Sequence, residues 1–597
     1  MYSISKGFVL HSLSALVSGL RKKYTSSKII PSYKKHLYHG AIRAIRKEKE
    51  FSLPLSYSVD SDDSTSVDHL RIRLATMTYD LQESPSWDLI AEDPEDVYSL
   101  NRFGWLLPVL ISTGALRSLP LLQKVILYWI NKNYNNHEGP GWDSYSISER
   151  CVNWLYIISY LGSTSFGDKS LVIKIRNSLR DQISTLQNQL EFRGSSTNNH
   201  LINNARALYL TGNFLGNMEA VQIGRNIASH ASKTMFSQSG FLKEGSVHYH
   251  VLLCRTYLEL YWMARRTGDH AFLEILIPHV KKLMSAALFF MSESSLPLIG
   301  DVSPDYPTSF HFLLPALLEN KNDNWYSLFG EQLKEFEPMR EQNRGLVSSP
   351  DAGYYRFSNE SYTVFIYVHP MNHIPALSHG HADIGGFIMY WRHKPFLVDT
   401  GRLRYRNDAM GRYGRSVRSH NSISINGKEP VVIHGLNGYP QLMYSNYFQP
   451  APDVSSEKRG SIDQLRIVFH GFARYIKSAR IVRTFSFLNT HLRIEDQISG
   501  EGYHQVESFF HFAPEVNTQM DDGQEIQCFL DGQSLKLRAQ SSDNVCFMGY
   551  RGAEVPSPAG WHSPEYGQAL PTWTLINRQK KLLPICNRYD IGIFTEI

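Results

Sequence analysis

The chain has 597 residues, too many for one ordinary hydrophobic core, so two large domains are expected. Lys and Arg total 61 against 56 Asp and Glu, and a net charge of only +5 argues against general nucleic-acid binding. Five unpatterned cysteines (Cys151, Cys254, Cys528, Cys546, Cys586) imply neither a disulfide framework nor a cysteine metal site, and no run approaches the ~20 apolar residues of a membrane helix.

Residues 1–95 read as a partly helical N-terminal extension. Its apolar segment Gly7–Leu20 has only Lys6 before it, contains His11 and meets Arg21-Lys22-Lys23 without a small-residue cleavage pattern. An amphipathic first helix is therefore expected rather than a signal peptide. The location that follows is periplasm or cell envelope if the chain is exported, and cytoplasm otherwise. Ser58–Ser66 is polar and reads as a loop or linker.

Residues 96–340 read as a helical domain. Apolar residues recur at three- and four-residue spacing over Leu121–Asn131, Ser148–Leu161, Leu171–Leu190, Ala205–Leu215, His248–Arg266 and Ala271–Met291. Successive helices with short connections pack antiparallel, and a long series can close into a ring of pairs. Ser148 reads as a helix cap and Trp154 as core, while Trp142 is open between core and ligand platform. Thr197-Asn198-Asn199-His200-Leu201 precedes an apolar helix, where capping suits Asn. Tyr249, between His248 and His250 at another helix start, reads as a half-buried core residue.

Residues 350–597 read as antiparallel β-structure, with the change of pattern near 340. Period two holds over Tyr362–Val368, Gly386–Trp391, Ser422–Ile425, Ile481–Phe487, Leu492–Ile498, Val506–Phe512, Leu535–Leu537 and Ile591–Phe594. Asn426-Gly427 and Leu488-Asn489-Thr490 read as hairpin turns.

The stretch Ser378–Asn421 concentrates the chemistry. It holds His379, His381, His393 and His420, an aspartate (Asp399) closing an apolar run, and six arginines from Arg402 to Arg418 opposed by Asp408 alone. Such a segment suits a polyanion, since arginine binds carboxylate or sulfate bidentately. In an extended segment His379 and His381 face the same way, as metal ligation or paired acid/base work needs; the plain alternative is two imidazoles on a surface loop. Asp399, after Phe396-Leu397-Val398, needs a partner, because an unpaired buried carboxylate is costly. A metal held by His381, Asp399 and His420 would satisfy it, with zinc the ion that imidazole plus carboxylate suits. With a turn at Arg392–Pro395, Asp399 pairs near Ile388, so His381 must sit on a loop that folds back.

His379-Gly380-His381-Ala382-Asp383, then a strand ending Leu397-Val398-Asp399-Thr400-Gly401 with Tyr405 after it, then Arg418-Ser419-His420-Asn421 before an alternating strand, resembles the C-terminal domain of heparinase II/III-type polysaccharide lyases. The resemblance implies an (α/α) incomplete toroid followed by an antiparallel β-sandwich, with the site in the cleft between them. It implies β-elimination on a uronic-acid-containing acidic polysaccharide. On that pattern Asn199 holds the substrate carboxylate, with His200 beside it as a possible base, and Tyr249 is the acid/base, alone or with His379. Tyr405, Trp142, Arg404 and Arg415 are the expected substrate contacts, and the metal is structural.

Elimination needs the carboxylate neutralised, a base for the C5 proton and an acid for O4. Tyrosine serves as base near neutrality only if positive charge lowers its pKa, and nearby histidines and arginines are the available means. Two other classes are weighed: an accessory protein that binds an acidic surface polysaccharide during its biosynthesis, and a glycoside hydrolase using carboxylates such as Asp143, Glu149, Glu244 and Asp301.

Overall fold

Helices precede sheets in this chain. The computed structural model describes residues 69–594 apart from 107–108, 110–114, 135, 166–168, 194–196, 292–294, 307–343, 369, 371–377, 437–438, 444–449, 521–523 and 542–546. The expected amphipathic helix at 7–20 and the linker at 58–66 lie outside the described residues. The described part of segment 1–95 is a strand pair, Leu70–Arg73 with Thr78–Leu81, leading into the first helix.

Eight helices of two turns or more follow among the described residues: α1 Pro94–Arg102, α2 Ala115–Asn133, α3 Ser144–Ser165, α4 Lys169–Asn188, α5 Asn199–Leu215, α6 Met218–Thr234, α7 Val247–Thr267 and α8 His270–Phe290. Each expected helix falls within one of these, give or take two residues at the end. Helix α3 starts at Ser144, one turn before the expected cap: Ser148 Oγ donates back to the Ser144 carbonyl at 2.7 Å, so Ser148 is an interior residue. Helix α6 was not among the expected helices; its buried face is built largely from small residues, Ala220, Val221, Gly224, Ile227, Ala228 and Ala231. Gly224 is required there, since a Cβ would lie 2.6 Å from the Ala205 carbonyl oxygen of α5.

The helices pack as antiparallel neighbours, α5 against α6 and α7 against α8, with α3, α5 and α7 adjacent. Helices α5 and α7 are buried along most of their length, whereas α6 buries one face. That division into inner and outer helices gives the (α/α) incomplete toroid.

Three larger antiparallel sheets and two two-stranded ones follow among the described residues. A five-stranded meander runs Gly345–Ser349, Tyr354–Ser358, Tyr362–Tyr367, Gly386–Trp391 and Lys394–Leu397. An eight-stranded sheet has Arg480–Phe487, His491–Ser499 and Ile585–Gly592 at its centre, and a four-stranded sheet pairs Trp573–Leu582 with Tyr503–His511 and Ile423–Ile425. The Leu397–Phe512 bridge joins the five- and four-stranded sheets. Val364 and Met389 from the first sheet, Ile467 and Phe485 from the second, and Val506 and Phe510 from the third share one buried core, the filling of a β-sandwich.

The turns explain the register. Arg392 (φ 42°) and His393 (φ 73°) form the two-residue turn after Gly386–Trp391, and Asn426 (φ 53°) with Gly427 (φ 64°) forms another, both left-handed as hairpins prefer. The two-residue turn alone would set Asp399 opposite Gly386, and a bulge between Met389 and Tyr390 shifts the pairing by one, so Asp399, beyond Leu397, lies in line with Phe387 rather than the expected Ile388. All of these elements belong to one compact unit, Ser52–Glu191 with Ser195–Ile597.

Candidate functional site

Three backbone segments from distant parts of the chain cross at one point. His379 N donates to the Glu244 carbonyl (3.1 Å), Asp301 N to the His379 carbonyl (2.9 Å) and Val247 N to the Ile299 carbonyl (3.0 Å). Gly300 permits the crossing: it sits at φ 77°, and a Cβ would lie 2.2 Å from the Gly245 carbonyl oxygen. Ser246 locks the corner, accepting from Tyr249 N at 3.1 Å as the N-cap of α7 while donating to the Asp301 carbonyl at 2.7 Å.

That crossing brings together four of the residues expected from the sequence. The rings of Tyr249 and His379 are stacked, centroids 3.6 Å apart and 12° from parallel. Tyr249 Oη lies 2.7 Å from Tyr405 Oη, which in turn donates to the Val302 carbonyl at 3.2 Å. Asn198 is the N-cap of α5, accepting from His200 N. Asn199 is thereby released from capping: its Nδ2 donates to Glu244 Oε2 (2.7 Å) and lies 3.0 Å from His379 Nε2.

Asp301 is the residue that sequence reasoning placed only among the carboxylates of a hydrolase. Its Oδ2 lies 3.1 Å from His379 Nδ1, and its Oδ1 takes His381 Nε2 at 2.7 Å and Arg402 Nη1 at 3.0 Å. Burial alone would raise the Asp301 carboxyl, but Arg402 and the two histidines hold it well below the ordinary carboxylate range. An ionised Asp301 draws the proton of His379 to Nδ1 and leaves Nε2 as an acceptor. Glu244 is similarly satisfied, by the Asn199 backbone and side chain and by Ser378 Oγ at 2.9 Å.

The direction of the Tyr249 pKa is opposite to the expected one. Burial, with Asp301, Asp305 and Glu95 nearby, holds it well above the ordinary tyrosine value, outweighing the Tyr405 hydrogen bond. Tyr405 is raised as well, by burial and by Tyr249 and Asp301. Both phenols are therefore protonated at neutral pH and placed to donate.

The loop bearing His381 does fold back. Ligand atoms of His381, Asp399 and His420 lie within 4.8 Å of one another, and all three residues are buried. Asp399 is satisfied within the protein by His420 Nδ1 (2.6 Å) and Gly401 N (3.1 Å). Burial lowers the His381 pKa, whereas for His420 burial is outweighed by the Asp399 carboxylate, which raises it, and a metal would need both imidazoles neutral. Two imidazoles and a carboxylate converging in a buried site fit a divalent ion of the zinc type in donor chemistry.

The remaining expected residues lie elsewhere. His200 pairs with Glu191 (2.9 Å) and packs against Tyr145. Arg404 pairs with Asp408 at 2.9 Å and approaches Glu92, while buried Arg415 donates to the Gly380 carbonyl and so braces the histidine loop. Trp142 is buried, stacked on His137 and bonded to Asn133 Oδ1. Beneath Tyr249, Arg206 pairs with Glu149 at 2.9 Å and with Glu259, which also takes Arg255 at 2.9 Å. Among the described residues, Cys151, Cys254, Cys528 and Cys586 are free, and no helix is long and apolar enough to cross a membrane.

Residues 341–583 match the family model for the heparinase II/III-like C-terminal domain. A heparin-sulfate lyase of Bacteroides thetaiotaomicron is 22% identical over 386 residues, covering 58% of this chain and 54% of that protein, so the match spans about half the length of that relative. Among solved structures, a heparinase III superposes with a TM-score of 0.66 at 16% identity, covering 86% of this chain and 80% of that one. A heparan sulfate lyase mutant from Pedobacter heparinus gives 0.59 at 16% identity over 89% and 82%, and a chondroitin AC lyase from Streptomyces coelicolor gives 0.50 at 10% over 83% and 74%. At these identities the superpositions establish the fold, a helical toroid followed by a β-sandwich. The C-terminal part of the chain, residues 341–583, is thus similar to the heparinase II/III-like C-terminal domain.

Proposed function

We propose that this protein is a polysaccharide lyase that cleaves a uronate-containing acidic polysaccharide by β-elimination. The observation that carries the reading is the stack of Tyr249 on His379 with Tyr405 Oη 2.7 Å from Tyr249 Oη, a proton donor and a proton acceptor held on one face. The relatives support the substrate class, since a heparin-sulfate lyase and a chondroitin AC lyase both act on acidic polysaccharides.

In this mechanism Asn199 turns an amide N–H from His379 to the substrate carboxylate, which frees His379 Nε2. His379 takes the C5 proton through Nε2, with Asp301 supporting the positive charge at Nδ1. The C5 electron pair passes through the enolate-like state to form the C4–C5 double bond as the C4–O4 bond breaks. Tyr249, kept protonated by burial, donates its proton to the departing O4, with Tyr405 positioned to share its hydrogen bond. Hydrolysis is the poorer reading, because Glu149, Glu244 and Asp301 are each committed to cations or amides. A divalent ion at His381, Asp399 and His420 would be structural, tying the histidine loop to the strand ends. One zinc per chain by elemental analysis is the expected outcome, and a metal-free active protein would remove this part of the reading.

The test is incubation with heparan sulfate, chondroitin sulfate, hyaluronan and alginate while ultraviolet absorbance is followed. A conjugated unsaturated uronate absorbs and a hydrolysis product does not. A rise on at least one polymer is expected. Binding without any rise would move the protein to the accessory class.

A further inference from the structure

The cavity beneath Tyr249 contains a hydrogen-bond donor that the mechanism above leaves unused. Asn203 lies one turn after Asn199 on α5 and is 4% exposed. Its Oδ1 accepts from Arg206 Nη1 at 3.1 Å, and Arg206 is in turn held by Glu149 and Glu259. That contact fixes which end of the amide is oxygen. The other end, Nδ2, is buried and has no hydrogen-bond partner among the described residues. Leaving such a donor unsatisfied costs about 1–3 kcal/mol, so an acceptor oxygen is expected beside it.

The surroundings identify the chemistry of that occupant. Asn203 lines a cavity of about 20 Å³ together with Asn199, Tyr249, Glu149, Arg206 and Arg255. The space suits one water or one oxygen atom of a ligand. Two guanidinium groups border it, but Arg206 is paired with Glu149 and Glu259 and Arg255 with Glu259, so the charges there balance. The buried amide N–H calls for an acceptor oxygen, which water or a carboxylate can supply. Asn199, by contrast, has spent its amide protons on Glu244 and His379.

We propose that Asn203 Nδ2 donates to the carboxylate of a hexuronate bound against Tyr249, one carboxylate oxygen taking the place that water fills at rest. This rests on the uronate reading of the site and adds a second, prearranged amide to the one Asn199 must redirect. As charge builds on the carboxylate during removal of the C5 proton, a fixed donor of this kind gains strength.

Asn203→Asp separates this role from a structural one. Aspartate keeps an oxygen for Arg206 but replaces the donor with a second acceptor. On the polymer the parent cleaves fastest, kcat is expected to fall about 100-fold or more, with the melting temperature preserved and KM changed far less. Asn203→Asp with parental kcat and KM would overturn the proposal and leave Asn203 as a brace for Arg206. If the aspartate variant fails to fold, Asn203→Ala gives the same reading. If the parent binds but cleaves none of the panel, calorimetric titration with the best-bound polymer decides. Affinity lowered tenfold or more in Asn203→Asp supports the donor role even though the lyase reading has failed, and unchanged affinity overturns it. A parent that neither cleaves nor binds any of the polymers overturns both.

Discussion

At the scale of single residues, the asparagine pair at the start of α5 divides its labour in a way that can be measured. Asn198→Ala removes a cap and should cost about 1 kcal/mol of stability with little change in kcat. Asn199→Ala should leave the melting temperature closer to the parent's and abolish most turnover. Tyr249→Phe removes the proposed proton donor while keeping the ring on His379, and a loss of about 10²- to 10⁴-fold in kcat with binding retained is expected. The residue types of this site were legible because Asn199, Tyr249, His379 and Tyr405 each sit in a recognisable local motif. Asp301 was not, because its meaning comes from His379, His381 and Arg402, which lie 78, 80 and 101 residues away in sequence. The arginines after Gly401 were legible only as a group. In an irregular loop no periodicity separates Arg402, which enters the site, from Arg404, which pairs with Asp408 at its side.

At the scale of elements, catalytic geometry depends on the crossing of the segments around Gly245, Gly300 and His379. Gly300→Ala would place a methyl against the Gly245 carbonyl and demand a left-handed alanine, so destabilisation of about 2 kcal/mol or more is expected in chemical denaturation. Ser246→Ala tests the same corner more gently. It removes the cap of α7 and the bond to the Asp301 carbonyl, and should lower stability by about 1–2 kcal/mol while also lowering kcat. Most helices and strands were legible from period, and the Asn426-Gly427 turn from its composition. Helix α6 was not among those expected, although its buried residues Ala220, Val221, Gly224, Ile227, Ala228 and Ala231 recur at helical spacing. The start of α3 was misread since Ser148 can cap a helix or bond to the preceding turn, and only the backbone decides.

At the scale of the whole molecule, buried histidines set an acid limit on stability. Burial lowers the pKa of His250 to about 4 and that of His279 and His511 to about 3. Each is neutral in the folded protein but protonated in the unfolded chain below its ordinary value of about 6.5. Their contribution is therefore complete above pH ~6.5 and is lost as the pH falls toward the folded values, by about 2 kcal/mol each at pH 5. The melting temperature should drop from pH 7 to pH 5, and replacing His511 by Gln should reduce that slope. Buried Tyr249 and Tyr405 act at the other end. Their raised values favour the folded state below the unfolded tyrosine pKa of about 10, and that contribution is lost as the pH rises above it. Between these limits the proposed reaction is elimination, in which no water is consumed. The direct test is cleavage of the best polymer in heavy-oxygen water, followed by mass spectrometry of the fragments. Elimination yields unsaturated fragments, one water lighter than hydrolysis products and free of label. Fragments carrying heavy oxygen at a new chain end would show hydrolysis and contradict it.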